Sequence, residues 1–359
     1  MILLSVTLLF FIFVSMVYIK SCDPNGVCHN GQMINFLVGG LILLVCLIVA
    51  SRELISDSEM YFRLYTQSRM FSLVDYIGFS GHDPAYFFTS WFFSFLGIPY
   101  EVFLFFICLA LFSSYSLWFR AFEFKSALPF LILIISTPVF FSLSAHTLRQ
   151  SLAVTFLLVA LLYLDNKKPI LVIFLCVIAI LFHRMTAPAC LLIVFLMLRG
   201  KASNKVLLYS VVIWFISVLL SITGLLKPIL IALVGGFFQE ERVYIYFDNS
   251  FTGERVGFLL DFFIYSSIPL LLFPFISKEV IDKHGNLFVF YLLLNSLYFL
   301  LNFIPFSSRI ANLSWCVIPI FMAVFVSSSP IYKRYSKLAD LLLICLAIPA
   351  FKYNYWLLS

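Results

Sequence analysis

Arginine and histidine recur at the starts of apolar segments in this chain. His146, Arg149 and Gln150 open "SAHTLRQSLAVTFLLVALLYL", residues 144–164, at i, i+3 and i+4, so a helix puts them on one face. His183 and Arg184 precede another apolar run, as do Arg255 and Arg309. A helix N-terminus carries unpaired N–H groups and a partial positive charge, and both favour anions. A guanidinium also meets phosphate oxygens at two points, which an ammonium does not. Helix starts bearing Arg149, Arg184, Arg255 and Arg309 therefore form a pocket for a phosphate-bearing ligand, with pyrophosphate the best match. Any one of these arginines alone reads more simply as a headgroup anchor. Their recurrence on one side is what favours a site.

A second set of residues suits sugars. Arg52, Asp57 and Tyr61 lie in "RELISDSEMYFRLY", and Asp57 and Tyr61 are again i and i+4. Spacing alone favours a solvated amphipathic surface helix. "GHDPAYF" offers Asp83 and Tyr86 beyond an Asp-Pro turn. Glu241 and Tyr244 stand among the acids, arginines and tyrosines of "FFQEERVYIYFDNSFTGERVG". Rings under a sugar's apolar face and carboxylates on its hydroxyls hold glycans, and interfacial aromatic belts have the same composition. Thr186, followed by Ala187 and Pro188, reads as a helix N-cap with proline in the first turn, which leaves His183 just outside a helix start. Walker, GxGxxG, GxSxG, HExxH and DxD motifs are missing, as is any metal-binding His/Cys spacing. The sequence calls for no metal and no other cofactor.

The elements that must position these residues are membrane helices. Of 359 residues, 63% are hydrophobic and 11% charged, well outside the range of soluble domains. The fold class expected is all-α, a single polytopic transmembrane domain over 1–359. Apolar runs, read against the roughly 17–25 residues that a span needs, mark some twelve spans, the sixth and seventh of them short: 1–19, 34–50, 99–119, 127–144, 147–164, 169–182, 185–198, 206–233, 257–277, 285–303, 309–327 and 337–355. The first has no basic n-region or cleavage site and reads as a span, not a signal peptide. The net charge of +6 sits in short loops and does not suggest nucleic acid. Lys20, Arg120, Lys125, Lys167, Lys168, Arg199, Lys201, Lys205, Lys278, Lys283, Lys333, Arg334 and Lys337 all follow odd-numbered spans. The positive-inside rule makes those loops cytoplasmic. The acid-richer connections 51–98 and 234–256 are then two long outer loops. The first holds "PAYFFTSWFFSFLG", an aromatic piece suited to the interface or to re-entry. Cys22 and Cys28 fall on the cytoplasmic side and need not be bonded.

Taken in order, these features resemble the EpsG-like branch of bacterial Wzy-type polymerases. The resemblance runs through Arg52…Asp57…Tyr61, Asp83-Pro84-Ala85-Tyr86, "LRQSLA" (148–153), "FHRMTA" (182–187) and "SRIANLSW" (308–315). The chain departs from that pattern at Ile55-Ser56-Asp57-Ser58, where Gly-Thr-Asp-Tyr is usual, and at Asp83, where Glu is usual. The resemblance implies a metal-independent, GT-C-like glycosyltransferase of the inner membrane with its active site facing the periplasm. It implies undecaprenyl-pyrophosphate-linked repeat units as substrates, membrane lipid as surroundings and a chain-length regulator as partner. On it, Arg149, Arg184, Arg255 and Arg309 bind pyrophosphate. Arg52, Tyr61, Asp83, Tyr86, His146, Gln150, Glu241 and Tyr244 bind glycan. The acceptor hydroxyl needs a base within reach, either Asp57 or His183. Asp57 is favoured, because Arg184 and a helix N-terminus beside His183 depress its basicity. A ligase acting on lipid-linked glycans is the nearest alternative, then a flippase, whose charges belong at mid-membrane depth.

Overall fold

The structure is a computed structural model describing residues 2–21, 31–53, 57–80, 82–122, 127–165, 168–229, 256–328, 344–347 and 350. Arg255, Glu241, Tyr244, the second long loop, Cys22, Cys28 and most of the twelfth expected span lie outside them, as does the side chain of Asp57. The described elements are helices throughout. We number them α1 (Ile2–Ser21), α2 (Gly31–Ala50), α3 (Asp57–Gln67), α4 (Leu73–Ser80), α5 (Pro84–Phe95), α6 (Tyr100–Ala121), α7 (Ala127–Ile135), α8 (Pro138–Phe141), α9 (Leu148–Tyr163), α10 (Pro169–Phe182), α11 (Ala187–Arg199), α12 (Asn204–Thr223), α13 (Leu260–Leu272), α14 (Lys278–Leu301), α15 (Ser308–Trp315) and α16 (Ile318–Ser328).

Apolar side chains around the whole circumference of a helix suit a lipid solvent, where every backbone group must be bonded internally. Among the described residues, five helical stretches are long and apolar enough to cross a membrane: Gln32–Ala50, Tyr100–Ala121, Asn204–Thr223, Lys278–Leu301 and Ser308–Val326. A sixth counts if Leu128–Ile135 and Pro138–His146, bent by 73°, form one span. The chain is a membrane protein. Other expected spans do carry helices, but short ones: α9 has 16 residues, α10 has 14 and α11 has 13. At 1.5 Å per residue these reach only about 24, 21 and 20 Å, less than a hydrocarbon core of ~30 Å.

The 73° bend has a local cause. Pro138 has no N–H to give the carbonyl of Ile134, and Thr137 takes that carbonyl instead, through its N–H (3.1 Å) and its hydroxyl (2.7 Å). Past α8, residues Ser142–His146 widen into a π-helical turn closed by the Thr147 N–H on the Ser142 carbonyl, 3.1 Å. This broken path delivers Arg149 to the first turn of α9. Helix α9 is central, packed on α6 and α10, with Ala153, Val154, Leu157 and Leu158 fully buried. Helix α14 packs on α11 and α12, and α13 and α16 close the bundle against α7.

The first long connection is a folded cap. Helices α3, α4 and α5 share a core of Tyr61, Tyr65, Tyr76, Tyr86 and Phe87 with Tyr100 and Phe103 of α6 and Leu148 and Leu152 of α9. Tyr65 donates to the Ile98 carbonyl (2.7 Å), Ser94 to the Tyr65 carbonyl (2.9 Å) and Tyr76 to the Leu64 carbonyl (3.0 Å). Only one face of α3 is solvated, carrying the exposed Glu59–Arg63 pair. The surface-helix reading of this segment therefore gives way, because Tyr61 and Tyr65 are buried. Helix α5 buries Tyr86, Phe87, Ser90 and Ser94 and leaves Phe88, Phe92 and Phe95 exposed. It lies against α10, so this aromatic piece is part of the cap.

Candidate functional site

The site is organised by a carboxylate. Asp83 ends the α4–α5 link in a left-handed conformation (φ 56°, ψ 50°), which Asp tolerates better than most residues. It holds the N-cap position of α5, and Pro84 follows where no N–H is needed. The carboxylate does not cap that helix. Its Oδ2 pairs with Arg149 Nη1 at 2.8 Å and lies 3.3 Å from His183 Nδ1, and its Oδ1 accepts the Arg184 N–H at 2.8 Å. The Asp83 side chain is 2% exposed and that of Arg149 22%. Burial alone raises the Asp83 pKa. The hydrogen bonds from His183 and the Arg184 N–H, with the charges of His183 and Arg149, outweigh it and hold the group below the ordinary carboxylate range.

Being ionised, that carboxylate only accepts, so Nδ1 of His183 is the donor to it and the ring is oriented through that nitrogen. Nε2 is buried and has no hydrogen-bond partner among the described residues. Arg149 is fixed from a second side: its Nε donates to the Tyr61 hydroxyl (3.1 Å), with the guanidinium 5.6 Å from that ring's centre. Tyr61 in turn meets Tyr86 edge to face, centroids 5.6 Å apart. Thr186 does occupy the N-cap position of α11, as its spacing predicts, but makes no capping bond; its hydroxyl turns back to the His183 carbonyl at 2.6 Å.

Arg309 arrives on α15. Its guanidinium stacks on Phe306, 4.6 Å from the ring centre, with Phe306 itself at φ 64°. Gln150 Nε2 donates to the Arg309 carbonyl at 2.5 Å, and Asn312 Nδ2 to the Ser142 hydroxyl at 3.1 Å. These bonds tie the first turn of α15 to α9 and to the π-helical turn. The result is a cavity of about 540 Å³ whose polar wall is His82, Asp83, Arg149, His183, Arg184 and Arg309. Leu301, Ile304, Pro305 and Phe306 form the facing wall. Arg184 is exposed at the rim, its Nη1 3.2 Å from His82 Nδ1. Three arginines and one carboxylate line the cavity, a balance that suits an anion.

A model of the EpsG family matches residues 35–359. The chain belongs to that family. Membership points to a membrane enzyme of glycosyl-transfer or polymerase type. No curated protein and no solved structure matches this EpsG-family chain.

Of the expected pyrophosphate ligands, the structure brings Arg149, Arg184 and Arg309 to one cavity, with Arg255 outside the described residues. The glycan set divides differently. Asp83 has both oxygens engaged by protein groups, so it positions His183 and Arg149 and does not hold sugar hydroxyls. Arg52 is buried and donates to the carbonyls of Val49 (3.0 Å) and Ala145, tying the end of α2 to the π-helical turn. Tyr61, Tyr86 and Gln150 are buried supports for Arg149 and Arg309. His146 closes the π-helical turn and is not among the cavity's lining residues. Asp57 starts α3, one turn before Tyr61. Sequence reasoning missed the Ile304–Phe306 wall, for which Pro305 is the one visible signal. Among the described residues, no three His, Cys, Asp or Glu side chains converge as metal ligands would.

Proposed function

We propose that this EpsG-family chain is a polysaccharide polymerase of the bacterial inner membrane, working on the periplasmic face. It transfers a growing glycan from undecaprenyl pyrophosphate to a lipid-linked repeat unit, as in O-antigen assembly, within a twelve-span, GT-C-like fold. The observation that carries this reading is the cavity lined by Arg149, Arg184 and Arg309 together with a histidine oriented by Asp83.

In that reading the arginines grip the donor's pyrophosphate. The acceptor hydroxyl attacks the anomeric carbon, a C–O bond forms, and the bond to pyrophosphate breaks. The charge that develops on the leaving group falls among guanidiniums already held in place, which is where fixed positive charge lowers a barrier most. The hydroxyl proton passes to His183 Nε2, and Asp83 stabilises the imidazolium that results. In this reading His183 replaces Asp57 as the preferred base, because His183 lines the cavity and one of its ring nitrogens is held by a carboxylate.

The test is turnover of a purified lipid-linked repeat unit, read as a product ladder. Arg149→Ala removes a charged contact worth about 2–5 kcal/mol and should make almost no polymer; Arg149→Lys should make little. His183→Ala should abolish turnover yet bind the repeat unit almost as well as wild type. Asp57→Asn should polymerise normally. Full ladders from Arg149→Ala would reduce that residue to a headgroup anchor. In cells, loss of the gene should leave lipopolysaccharide core with one repeat; core alone would indicate a ligase or flippase.

A further inference from the structure

Behind the turn that walls the central cavity lies another. Leu301 and Ile304 face the arginine cavity, whereas Leu300, Asn302 and Phe303 line a separate one of about 320 Å³. Its opposite wall comes from the end of α12 and the approach to α13, through Ser221, Lys227 and Phe258. Backbone and side-chain bonds fix this frame. Helix α12 ends at Gly224 with φ 65°, and Gly257, at φ 92°, donates its N–H to the Asn302 carbonyl at 2.8 Å. The Asn302 amide donates to the Ser221 hydroxyl across the same gap. Both glycines hold positive φ, which lets the two chain segments turn toward α14 without a Cβ penalty.

Lys227 is the unusual member. It is half-buried in the cavity wall, and no ion pair involves it among the described residues. It lines a cavity whose walls include the rings of Phe258, Phe299 and Phe303. A cation held that way is stabilised by an anion that enters from outside. The volume lies near the lower limit of ligand pockets, ~300 Å³, and suits a single sugar ring more than a whole lipid.

We infer that this cavity binds one acidic sugar of the glycan, with its carboxylate on the Lys227 ammonium and its ring against Phe258. The inference rests on the polymerase reading and deepens it by naming the substrate class: repeat units that contain a uronic-acid-type residue. The shared 300–304 wall sets this subsite beside the pyrophosphate cavity, so one glycan spans both.

The probe is methyl glucuronide, with methyl glucoside as its neutral counterpart. Binding is read by saturation-transfer NMR on the full chain in phosphatidylcholine nanodiscs. Methyl glucuronide should bind wild type and Lys227→Arg. Lys227→Gln, with an unchanged melting temperature, should bind it about tenfold more weakly, the loss of one charge-assisted contact. Methyl glucoside should bind weakly and equally to all three. Arg184→Ala should leave glucuronide binding intact. Equal affinity in Lys227→Gln overturns the assignment. So does loss of binding in Arg184→Ala, which would move the sugar to the central cavity, and so does equal competition by glycerol phosphate, which would make this a headgroup site. Binding that depends on Lys227 in a protein with no turnover of lipid-linked repeat units would retain the subsite and remove the polymerase reading.

Discussion

At Asp83, three protein contacts outweigh an unfavourable backbone. The left-handed conformation costs on the order of 1–2 kcal/mol, and the pairing with Arg149, His183 and the Arg184 N–H repays it. Breaking a buried pair by removing one partner costs about 3–5 kcal/mol, so Asp83→Ala should lower the melting temperature sharply as well as end turnover. The effect of the charge alone has a defined pH dependence. The folded pKa is depressed, so the contribution is complete above the unfolded value of about 4 and is lost as pH falls through the lower folded value. The melting-temperature gap between wild type and Asp83→Asn should be wide near neutral pH and close as the medium is acidified. A constant gap would mean that Asp83 contributes shape and not charge. Sequence spacing revealed Arg149 at a helix start and Asp83 at a turn. It could not reveal that they pair, because 66 residues separate them and a contact at that range depends on the fold. The same limit hid Gln150, which bonds to a carbonyl 159 residues away. Arg52 looked like a ligand because unpaired carbonyls at a helix end leave no trace in a sequence.

Among the elements, apolar runs identified nearly every helix, since burial in lipid is written into composition. Their lengths were less legible. Composition runs on past the points where Pro138 and Gly224 break or end a helix, so the 127–144 and 206–233 segments hold shorter helices than their apolar length, whereas α9, α10 and α11 match theirs to within two residues. Short helices leave room at one end of the bundle, and α3–α5 fill that room over the first turn of α9. The cap stays closed through few polar ties, which makes it testable. Tyr65→Phe removes the bond to the Ile98 carbonyl, worth about 1 kcal/mol, while keeping the ring packed on Tyr100 and Phe103. Trypsin should then cut near the exposed Arg63 and Arg69 roughly fivefold faster, because cleavage follows the population of the open form. Unchanged cleavage would show that ring packing alone holds the cap.

The whole molecule has two chemically different ends. Asp165 accepts from Asn286 Nδ2 at 2.8 Å, and the same nitrogen lies 3.2 Å from the Gly200 carbonyl, so the α9–α10, α11–α12 and α14 segments meet there. Arg199, Lys201, Lys205, Lys278 and Lys283 cluster around that end in sequence. Asp83, Arg149, His183 and Arg184 stand at the opposite end of α9 and α10, about 24 Å away along a 16-residue helix. Short basic loops tend to remain in the cytoplasm during insertion, and the proposed function requires the arginine cavity to face the other side. Exposed positions at each end allow a direct check in a background with Cys22, Cys28 and Cys345 replaced by serine. Met70, 81% exposed on the cap, and Ser203, exposed beside the lysines, are each changed to cysteine. In whole cells with a permeable outer membrane, a thiol reagent that cannot cross the inner membrane should label Met70→Cys and spare Ser203→Cys until the cells are lysed. The opposite pattern would put the cavity in the cytoplasm, and the donor would then have to be a substrate made and used on that side.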